Sequence, residues 1–314
     1  MSARTVIALG GNAISPAGTA GTAAEQTENL HGSMRQIATM VADGLDDLVL
    51  THGNGPQVGN VLIKNELARD VVPPVPLDWC VAQTQATIGF TIADTLGYEL
   101  AERGLRRPVV PVVSRVLVER DDPAFDAPTK PIGPYLDDAD ELARREAEGQ
   151  QFTEIPGRGW RRVVPSPEPR ASLDRQAVEL LLEDGAIVIA NGGGGIPVVD
   201  QPQGPRTGVE SVIDKDLAGA LLAEEIGART LVILTDVPGV AVGFGSDDER
   251  WLEDVDVAEL RRHQADGHFR AGSMGPKVEA ACRFVERTGG RAVIGDLAHA
   301  PEAVNATAGT RVRP

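Results

Sequence analysis

The stretch Gly192-Gly193-Gly194-Gly195-Ile196-Pro197-Val198-Val199 follows a short apolar run, Ala186–Ala190, whose β-branched residues predict a buried strand. Four glycines at the end of a strand leave bare backbone, which can approach a ligand closely and can adopt positive φ without steric cost. A flexible loop is the alternative interpretation, and the four glycines alone do not decide between the two. The rest of the sequence therefore has to decide.

Two similar turns favour a ligand site. Gly10-Gly11-Asn12 follows the apolar run Thr5–Leu9, and Gly53-Asn54-Gly55 follows Leu48–Thr51. Three glycine turns at three strand ends predict a sheet with one edge lined by backbone N–H groups. Ligands bind at that edge in open α/β folds.

Strands and helices alternate along most of the chain, which predicts a mostly parallel sheet with helices on both faces. The predicted strands are Thr5–Leu9, Asp47–Thr51, Pro108–Val113, Ala186–Ala190, Thr230–Leu234, Arg291–Ile294 and Thr310–Val312. The predicted helices occupy residues 22–43, 56–69, Trp79–Arg103, Leu173–Glu183, Asp216–Ile226, Glu253–Gln264 and Pro276–Arg287.

The alternation is interrupted at about residues 115–169, where Pro, Arg, Asp and Glu are frequent and long apolar runs are few. We interpret this segment as a small subdomain that protrudes from the main sheet, with one short helix at Asp137–Glu148 and a strand at Trp160–Val164. A mobile surface insert is the alternative. The stiff turn residues and the aromatic side chain of Pro131-Ile132-Gly133-Pro134-Tyr135 argue against it.

Composition excludes several classes of protein. The 314 residues carry a formal net charge of −16, and no basic run exceeds two residues, which argues against nucleic-acid binding. Two cysteines cannot build a disulfide framework, and the five histidines are scattered without metal-ligand spacing, so no protein metal site is predicted. No uncharged apolar run approaches the roughly 18 residues of a membrane span. We expect a cytoplasmic protein that does not bind membranes.

Three lysines and one aspartate are the candidates for chemistry. Lys277 follows a glycine-rich turn at a predicted helix start, and a lysine at a helix N-terminus makes an anion site. Lys215 precedes a helix, Asp216 beside it has the charge to orient lysines, and Lys130 lies on the protruding segment. The alternative is that the lysines are solvated surface charges and Asp216 an ordinary first-turn residue. The motifs GxxxxGK[ST] and GxSxG are absent, and no dinucleotide-binding fingerprint is supported.

Eight motifs, in this order, resemble the carbamate kinases of the amino acid kinase family. They are LGGNAI (9–14), HGNGPQVG (52–59), PTKPIGPY (128–135), GWRRVVPSP (159–167), GGGGIPVV (192–199), GVESVIDKD (208–216), LTDVPGV (234–240) and GSMGPKVEAA (272–281). The resemblance covers Leu9 to Val312. It implies one αβα-sandwich domain with a central, mainly parallel sheet of about eight strands. The part before about residue 200 would bind the phosphoryl acceptor, and residues 201–314 would bind the nucleotide.

The resemblance also implies roles for individual residues. Lys130, Lys215, Asp216 and Lys277 would act on the transferred phosphoryl group and the other phosphates. The acceptor would be held by Gly10, Gly11, Asn12, Gly53, Asn54 and Gly55. The nucleotide would be bordered by Gly193, Gly194, Lys215, Thr235, Asp236, Val237, Met274 and Lys277.

The implied reaction is reversible phosphoryl transfer from ATP, with Mg²⁺, to carbamate, giving ADP and carbamoyl phosphate. The implied use is to make ATP in arginine- or agmatine-type catabolism, by a homodimer. This chemistry asks the protein mainly for positioning and charge stabilisation. Carbamate is already anionic, so no general base is needed, and phosphates and waters supply most Mg²⁺ ligands without a protein cage.

The sequence departs from the family pattern at three positions, none of them a lysine. Ala241 stands where relatives often carry an aromatic residue, Ala86 where a glycine is common, and Asn191 where cysteine is often seen. Two alternatives stay open. A family member with another acceptor would carry a lysine on the first strand, which Val6–Leu9 lacks, and a non-catalytic sensor would be expected to have lost at least one of the four charged residues.

Overall fold

The computed structural model describes residues 3–16, 18–19, 21–269 and 273–314. Within these residues the strands are β1 Thr5–Leu9, β2 Leu48–His52, β3 Val109–Pro111, β4 Arg115–Leu117, β5 Lys130–Leu136, β6 Gln151–Ile155, β7 Gly159–Val164, β8 Ala171–Ser172, β9 Ile187–Ile189, β10 Ile196–Val199, β11 Thr207–Gly208, β12 Thr230–Thr235, β13 Val240–Val242, β14 Arg250–Leu252, β15 Asp254–Asp256, β16 Arg291–Asp296 and β17 Thr310–Arg313. The helices are α1 Ala23–Ala42, α2 Gly55–Ala68, α3 Leu77–Glu102, α4 Ala139–Ala147, α5 Arg175–Glu183, α6 Lys215–Glu225, α7 Val257–Ala265, α8 Met274–Thr288 and α9 Ala300–Val304.

The central sheet has eight strands in the order β15-β17-β16-β12-β1-β2-β9-β3. All neighbouring pairs from β16 to β3 are parallel, and β17 runs antiparallel to β16. Buried β-branched and leucine residues fill the inner strands β16, β12, β1, β2 and β9 because helices cover both faces. The predicted sandwich with a mainly parallel sheet of about eight strands is confirmed.

Alternate residues of each strand enter different cores. Val6 and Ala8 of β1 pack with α5, α6, α7 and α8 on one face. Ile7 and Leu9 pack with α1, α3 and α9 on the other. This period of two gives the three layers and fixes the strand register.

Three smaller sheets extend from the central one. One has the order β11-β10-β4-β8, another is the β13-β14 ribbon, and the third has the order β5-β7-β6. We call β5, β6, β7 and α4 the arm (residues 130–164). Its base packs through Ile132 onto α2 and α3, and Arg69 Nη2 of α2 lies 2.7 Å from Glu148 Oε1 at the end of α4. The protruding segment is therefore anchored to the sandwich by apolar contacts and ion pairs.

One predicted helix was wrong at its start. Residues 253–264 were predicted as a single helix, but β15 pairs in parallel with β17 and the helix begins only at Val257. Val255 is buried in the core, and the Asp256 carboxylate accepts the N–H of Glu259 at 2.8 Å, capping the new helix. Residues 254–256 of the predicted helix therefore form a short edge strand.

Within the described residues, no helix combines the length and apolarity that crossing a bilayer requires.

Candidate active site

The three glycine turns lie together at the carboxyl edge of the central sheet. Strands β1, β2 and β9 are adjacent and parallel, so their turns emerge side by side. Gly11 begins a 3₁₀ turn after β1, Asn54 precedes α2 after β2, and Gly192–Gly194 form a 3₁₀ turn after β9. Backbone groups of two turns and the N-terminus of α2 therefore face one cleft.

The four-glycine stretch is shaped by close packing. Gly193, Gly194 and Gly195 have φ of 66°, 93° and 86°, a region that L side chains rarely adopt. A Cβ at Gly192 would collide with the imidazole of His52, and one at Gly193 would collide with the Asn54 amide. Glycine is required here because other groups occupy the space, so the flexible-loop interpretation does not hold.

Buried polar side chains fix this turn. Gln85 of α3 donates to the carbonyl oxygen of Gly192 at 2.9 Å and to that of Ser114 at 3.1 Å. The backbone N–H of Asn191 donates to Ser114 Oγ at 3.0 Å, and Thr51 Oγ1 donates to the Asn191 carbonyl at 3.1 Å. These bonds hold Asn191 at a positive φ of 50°. The backbone of the cleft is thus set before any ligand arrives.

Asp216 joins two of the predicted lysines. Lys215 Nζ lies 2.5 Å from Asp216 Oδ1, and Lys277 Nζ lies 3.0 Å from Asp216 Oδ2. The Asp216 side chain is 3% exposed and each lysine side chain 15%. The helix starts of α6 and α8 bring these groups together, since Lys215 begins α6 and Lys277 lies in the first turn of α8. We call Lys215, Asp216 and Lys277 the charge cluster.

Electrostatics leave the charge cluster one positive charge in excess. Burial alone would raise the pKa of Asp216, but the two ammonium groups outweigh it and lower that pKa to about 2. Burial also lowers the pKa of Lys215; repulsion from Lys277 adds to this effect, and Asp216 opposes it. Two cations share one carboxylate in a poorly solvated site, so they would strongly stabilise an anion that binds beside them.

Lys130 reaches the same cleft from the arm. Its Nζ lies 3.3 Å from Asp214 Oδ2 and 3.4 Å from the carbonyl oxygen of Ile213. Asp214 also caps α6, because its Oδ1 accepts the N–H of Asp216 at 2.9 Å. The side chain of Lys130 is 28% exposed. Its ammonium group is therefore held by a longer and more hydrated contact than those of the charge cluster.

His52 forms a neutral wall behind the glycine turn. It is 1% exposed, and its Nδ1 lies 2.9 Å from the carbonyl oxygen of Gly53. Burial, aided by the nearby Lys215 and opposed by the Gly53 bond, lowers its pKa to about 4. The neutral ring therefore donates from Nδ1 to Gly53 at neutral pH.

Two cavities meet at this site. We call the larger one, of about 640 Å³, the phosphate cleft because its lining, the charge cluster, Lys130 and the glycine turns, would suit phosphates. We call the smaller one, of about 130 Å³, the base cavity because aromatic side chains line part of it; the segment from Thr235 to Gly239, the β13–β14 ribbon and residues after α7 all contribute. Ser273 and Lys277 line both. A ligand with an apolar ring and an anionic tail would fit across the junction.

The structure assigns most of the predicted residues to these cavities and excludes a few. The phosphate cleft contains Gly11, Gly53, Asn54, Gly55, Lys130, Gly193, Lys215, Asp216 and Lys277. The base cavity contains Thr235, Asp236, Val237, Met274 and Lys277. Gly10 lines neither and faces another hollow beside Thr235, and Gly194 is buried against Ile213. The side chain of Asn12 lies outside the described part of the structure, as does Gly272 of the lysine turn.

Sequence reasoning missed several residues of the site. Asp214 holds Lys130 and caps α6, and only its position before a helix could have signalled the cap. Tyr135 and Arg161 of the arm line the phosphate cleft, with the guanidinium 5.2 Å from the ring centre. Phe244 and Trp251 line the base cavity as an edge-to-face pair 6.1 Å apart. Tyr135 and Arg161 lie within two of the quoted motifs without an assigned role, whereas Phe244 and Trp251 lie outside all eight.

Comparison with known proteins gives a consistent family. The model of the amino acid kinase family matches residues 3–296. Carbamate kinases of Thermococcus kodakarensis and Pyrococcus horikoshii are 49% and 46% identical to this chain, with alignments covering 98% and 100% of both partners. A carbamate kinase from Giardia lamblia bound to AMP-PNP superimposes with a TM-score of 0.93 at 37% identity, covering 99% of this chain and 98% of that one.

Proposed function

Because this chain belongs to the amino acid kinase family and has carbamate kinases as full-length relatives, we propose that it transfers a phosphoryl group reversibly between ATP and carbamate. The products are ADP and carbamoyl phosphate. One observation carries the proposal more than any other. The chain has four lysines, and three of them lie in one cleft with the buried Asp216, next to a cavity for a planar base.

The arrangement suits transfer to an acceptor that is already anionic. In the transition state the transferred phosphoryl group carries negative charge on three oxygens, and lysines and backbone N–H groups stabilise that charge. Lys277 lies at the junction of the two cavities, where the phosphates of a nucleotide would pass. Lys130 and the turns at Gly11 and Gly53 line the same cleft but not the smaller cavity, so carbamate would bind beside them. Carbamate needs no base to become a nucleophile.

We propose that Mg²⁺ enters with the nucleotide. Asp216 is engaged by two lysines, and Asp214 by Lys130 and the N-terminus of α6. The described carboxylates of the cleft are therefore committed to the protein's own donors, and phosphate oxygens and waters would supply most of the ion's ligands. When bound, the ion would neutralise charge on the phosphates.

We further propose a cytoplasmic homodimer that makes ATP from carbamoyl phosphate in arginine- or agmatine-type catabolism. Apolar surface on α3 supports a subunit contact: Trp79, Phe90 and Tyr98 lie within one helix face and are 60%, 56% and 55% exposed. Analytical ultracentrifugation of the wild type and of Phe90→Glu tests this contact. A wild type that sediments as a monomer contradicts it.

The decisive experiment measures ATP formation from ADP, Mg²⁺ and carbamoyl phosphate, with acetyl phosphate as the competing donor. We expect rapid ATP formation from carbamoyl phosphate and a much slower reaction with acetyl phosphate. Lys64→Ala, which changes the exposed fourth lysine on α2, is the matched control for substitutions of the three cleft lysines. It should retain full activity. ADP binding without ATP formation would favour the sensor, and a preference for another phosphoryl donor would favour a different family member.

A further inference from the structure

The five histidines of the chain fall into two groups by their hydrogen bonds. His31 Nε2 lies 2.7 Å from a carboxylate oxygen of Glu99, and His299 Nδ1 lies 2.9 Å from one of Asp296. His52 has the short bond to a carbonyl oxygen described above. Each of these three rings has a partner that fixes it.

The other two histidines lack such a partner. His263 Nε2 is shielded from solvent and has no hydrogen-bond partner in the described part of the chain, and Glu259 Oε1 lies 3.6 Å from it. His268 Nδ1 receives only a long contact from the N–H of Gly243 at 3.4 Å. Yet the two rings lie 5.4 Å apart between centroids, in an edge-to-face arrangement. Two imidazoles that lack a short hydrogen bond in the described part of the chain therefore lie next to each other.

A third donor completes the group. A ring nitrogen of each histidine and a carboxylate oxygen of Asp266 all lie within 4.8 Å of one another. The end of α7 brings them together: Gly267 adopts φ of 79°, and the N–H of His268 donates to the carbonyl oxygen of His263 at 3.1 Å. This is the C-terminal turn that closes many helices. It sets the backbone of all three residues, so only side-chain rotations are needed to converge on one ion.

We propose that His263, Asp266 and His268 form a binding site for a divalent transition-metal ion such as Zn²⁺ or Co²⁺. Two imidazoles and one carboxylate suit these borderline ions, whereas Mg²⁺ prefers oxygen ligands. Water would complete the coordination. Glu259 and the overall charge of −16 favour a cation here. The metal displaces the long contact to Gly243 if it binds His268 through Nδ1.

The site is separate from the magnesium that enters with the nucleotide, but it adjoins the base cavity. His268 and the next residue, Phe269, line that cavity. An ion held at the end of α7 therefore immobilises one of its walls. Sequence spacing did not indicate this site, because a separation of five residues is not a common ligand spacing on a continuous helix. The glycine turn after Ala265 is what makes it possible.

The test uses the full-length protein, purified without a histidine tag and treated with a chelator. Zn²⁺ is titrated by calorimetry, and Co²⁺ by its visible absorption, both without nucleotide. We expect one equivalent of metal, and at least about 10-fold weaker binding in His263→Ala and in His268→Ala. Asp266→Asn, an exposed and nearly isosteric change, gives a smaller loss and guards against misfolding.

His299→Ala is the matched control, since it removes an exposed histidine that also pairs with an aspartate. It should bind metal like the wild type. The proposal is overturned if the wild type takes up no metal, if the His263 and His268 variants bind as tightly as the wild type, or if Mg²⁺ displaces Zn²⁺ at equal concentration. Because no readout depends on turnover, failure here does not affect the proposed kinase reaction.

Discussion

The lysines of the phosphate cleft are held in two different ways. The charge cluster forms the floor of this cleft. Lys215 and Lys277 there contact the Asp216 carboxylate, which is 3% exposed, at 2.5 and 3.0 Å. Lys130 on the arm contacts Asp214, which is 21% exposed, at 3.3 Å. The floor rests on the central sheet and the starts of two helices, whereas Lys130 belongs to a three-stranded sheet outside the sandwich.

The difference means that the charges of Lys215 and Lys277 are fixed before a ligand binds, whereas the charge of Lys130 can change its partner. Burying an ion pair costs desolvation free energy that the attraction between the two charges only partly offsets. Such a pair is therefore tolerated only when its polar atoms all have hydrogen-bond partners. A partly exposed pair contributes little stability and can be exchanged for another anion at low cost. We therefore expect the floor to matter for both folding and catalysis, and the arm lysine to matter mainly for catalysis.

The largest effect is expected for Lys277→Ala. It removes a cation from the junction of the two cavities and leaves Asp216 with one ammonium partner. ATP formation from carbamoyl phosphate should fall about 10³-fold in kcat. The free energy of unfolding should fall by about 1–3 kcal/mol, because a buried carboxylate loses a hydrogen bond. Steady-state kinetics and urea denaturation measure the two quantities.

Lys64→Ala is the control for both measurements, because it removes an equal charge from an exposed site on α2. It should change neither. If Lys277→Ala keeps wild-type stability, the floor is not the tightly coupled cluster described here.

His52, which lies behind the glycine turn and close to Lys215, provides a test through pH. Its pKa is about 4 in the folded protein and near 6.5 in an unfolded chain, so the unfolded chain binds more protons between these values. Stability is fully present above pH 6.5 and falls as the pH drops towards 4, by about 3 kcal/mol from this residue. Denaturation at several pH values, compared with His52→Gln, should show a smaller loss in the variant. Parallel curves would mean that the imidazole is not kept neutral by burial.

Lys130→Ala tests the arm. We expect kcat for ATP formation to fall about 10²-fold, less than for the floor lysine, because water can partly replace a group that is already hydrated. The free energy of unfolding should change by less than about 0.5 kcal/mol. Kinetics with substrates at saturation, and denaturation of the same sample, separate the two effects. Full activity in this variant would remove the arm from the chemistry.

The sheet and the glycine edge could be predicted from local patterns, whereas the roles of the lysines were implied by the family resemblance. An apolar run followed by glycine marks a strand end, and parallel strands bring such ends to one edge. Features made by distant pairing could not be predicted in this way. The β15–β17 pair turned part of a predicted helix into a strand, and the turn at Gly267 brought two histidines together. Motifs indicate which residues are present, but tertiary contacts decide which of them meet.

The base cavity is where this limit matters most. The family resemblance leads one to expect an aromatic ring at the position of Ala241, so the sequence alone predicts weakened stacking against adenine. In the β13–β14 ribbon, however, Ala241 pairs directly with Trp251. Residues paired across antiparallel strands point to the same face, so the small side chain leaves room for the indole. Trp251 is 37% exposed and lines the cavity with Phe244, so the aromatic surface comes from the neighbouring strand and from the connection between the two strands.

Trp251→Ala should therefore raise the KM for ADP about 10-fold, the loss expected for one stacking partner of a base. The KM for carbamoyl phosphate should not change, because we propose that this substrate binds in the phosphate cleft, which Trp251 does not line. Trp251→Phe should restore most of the ADP affinity, since it retains a flat apolar ring. Steady-state kinetics with each substrate varied in turn provides the measurement, and calorimetry with ADP checks it. Equal increases in both KM values would mean that the indole supports the fold of the ribbon and does not contact the nucleotide.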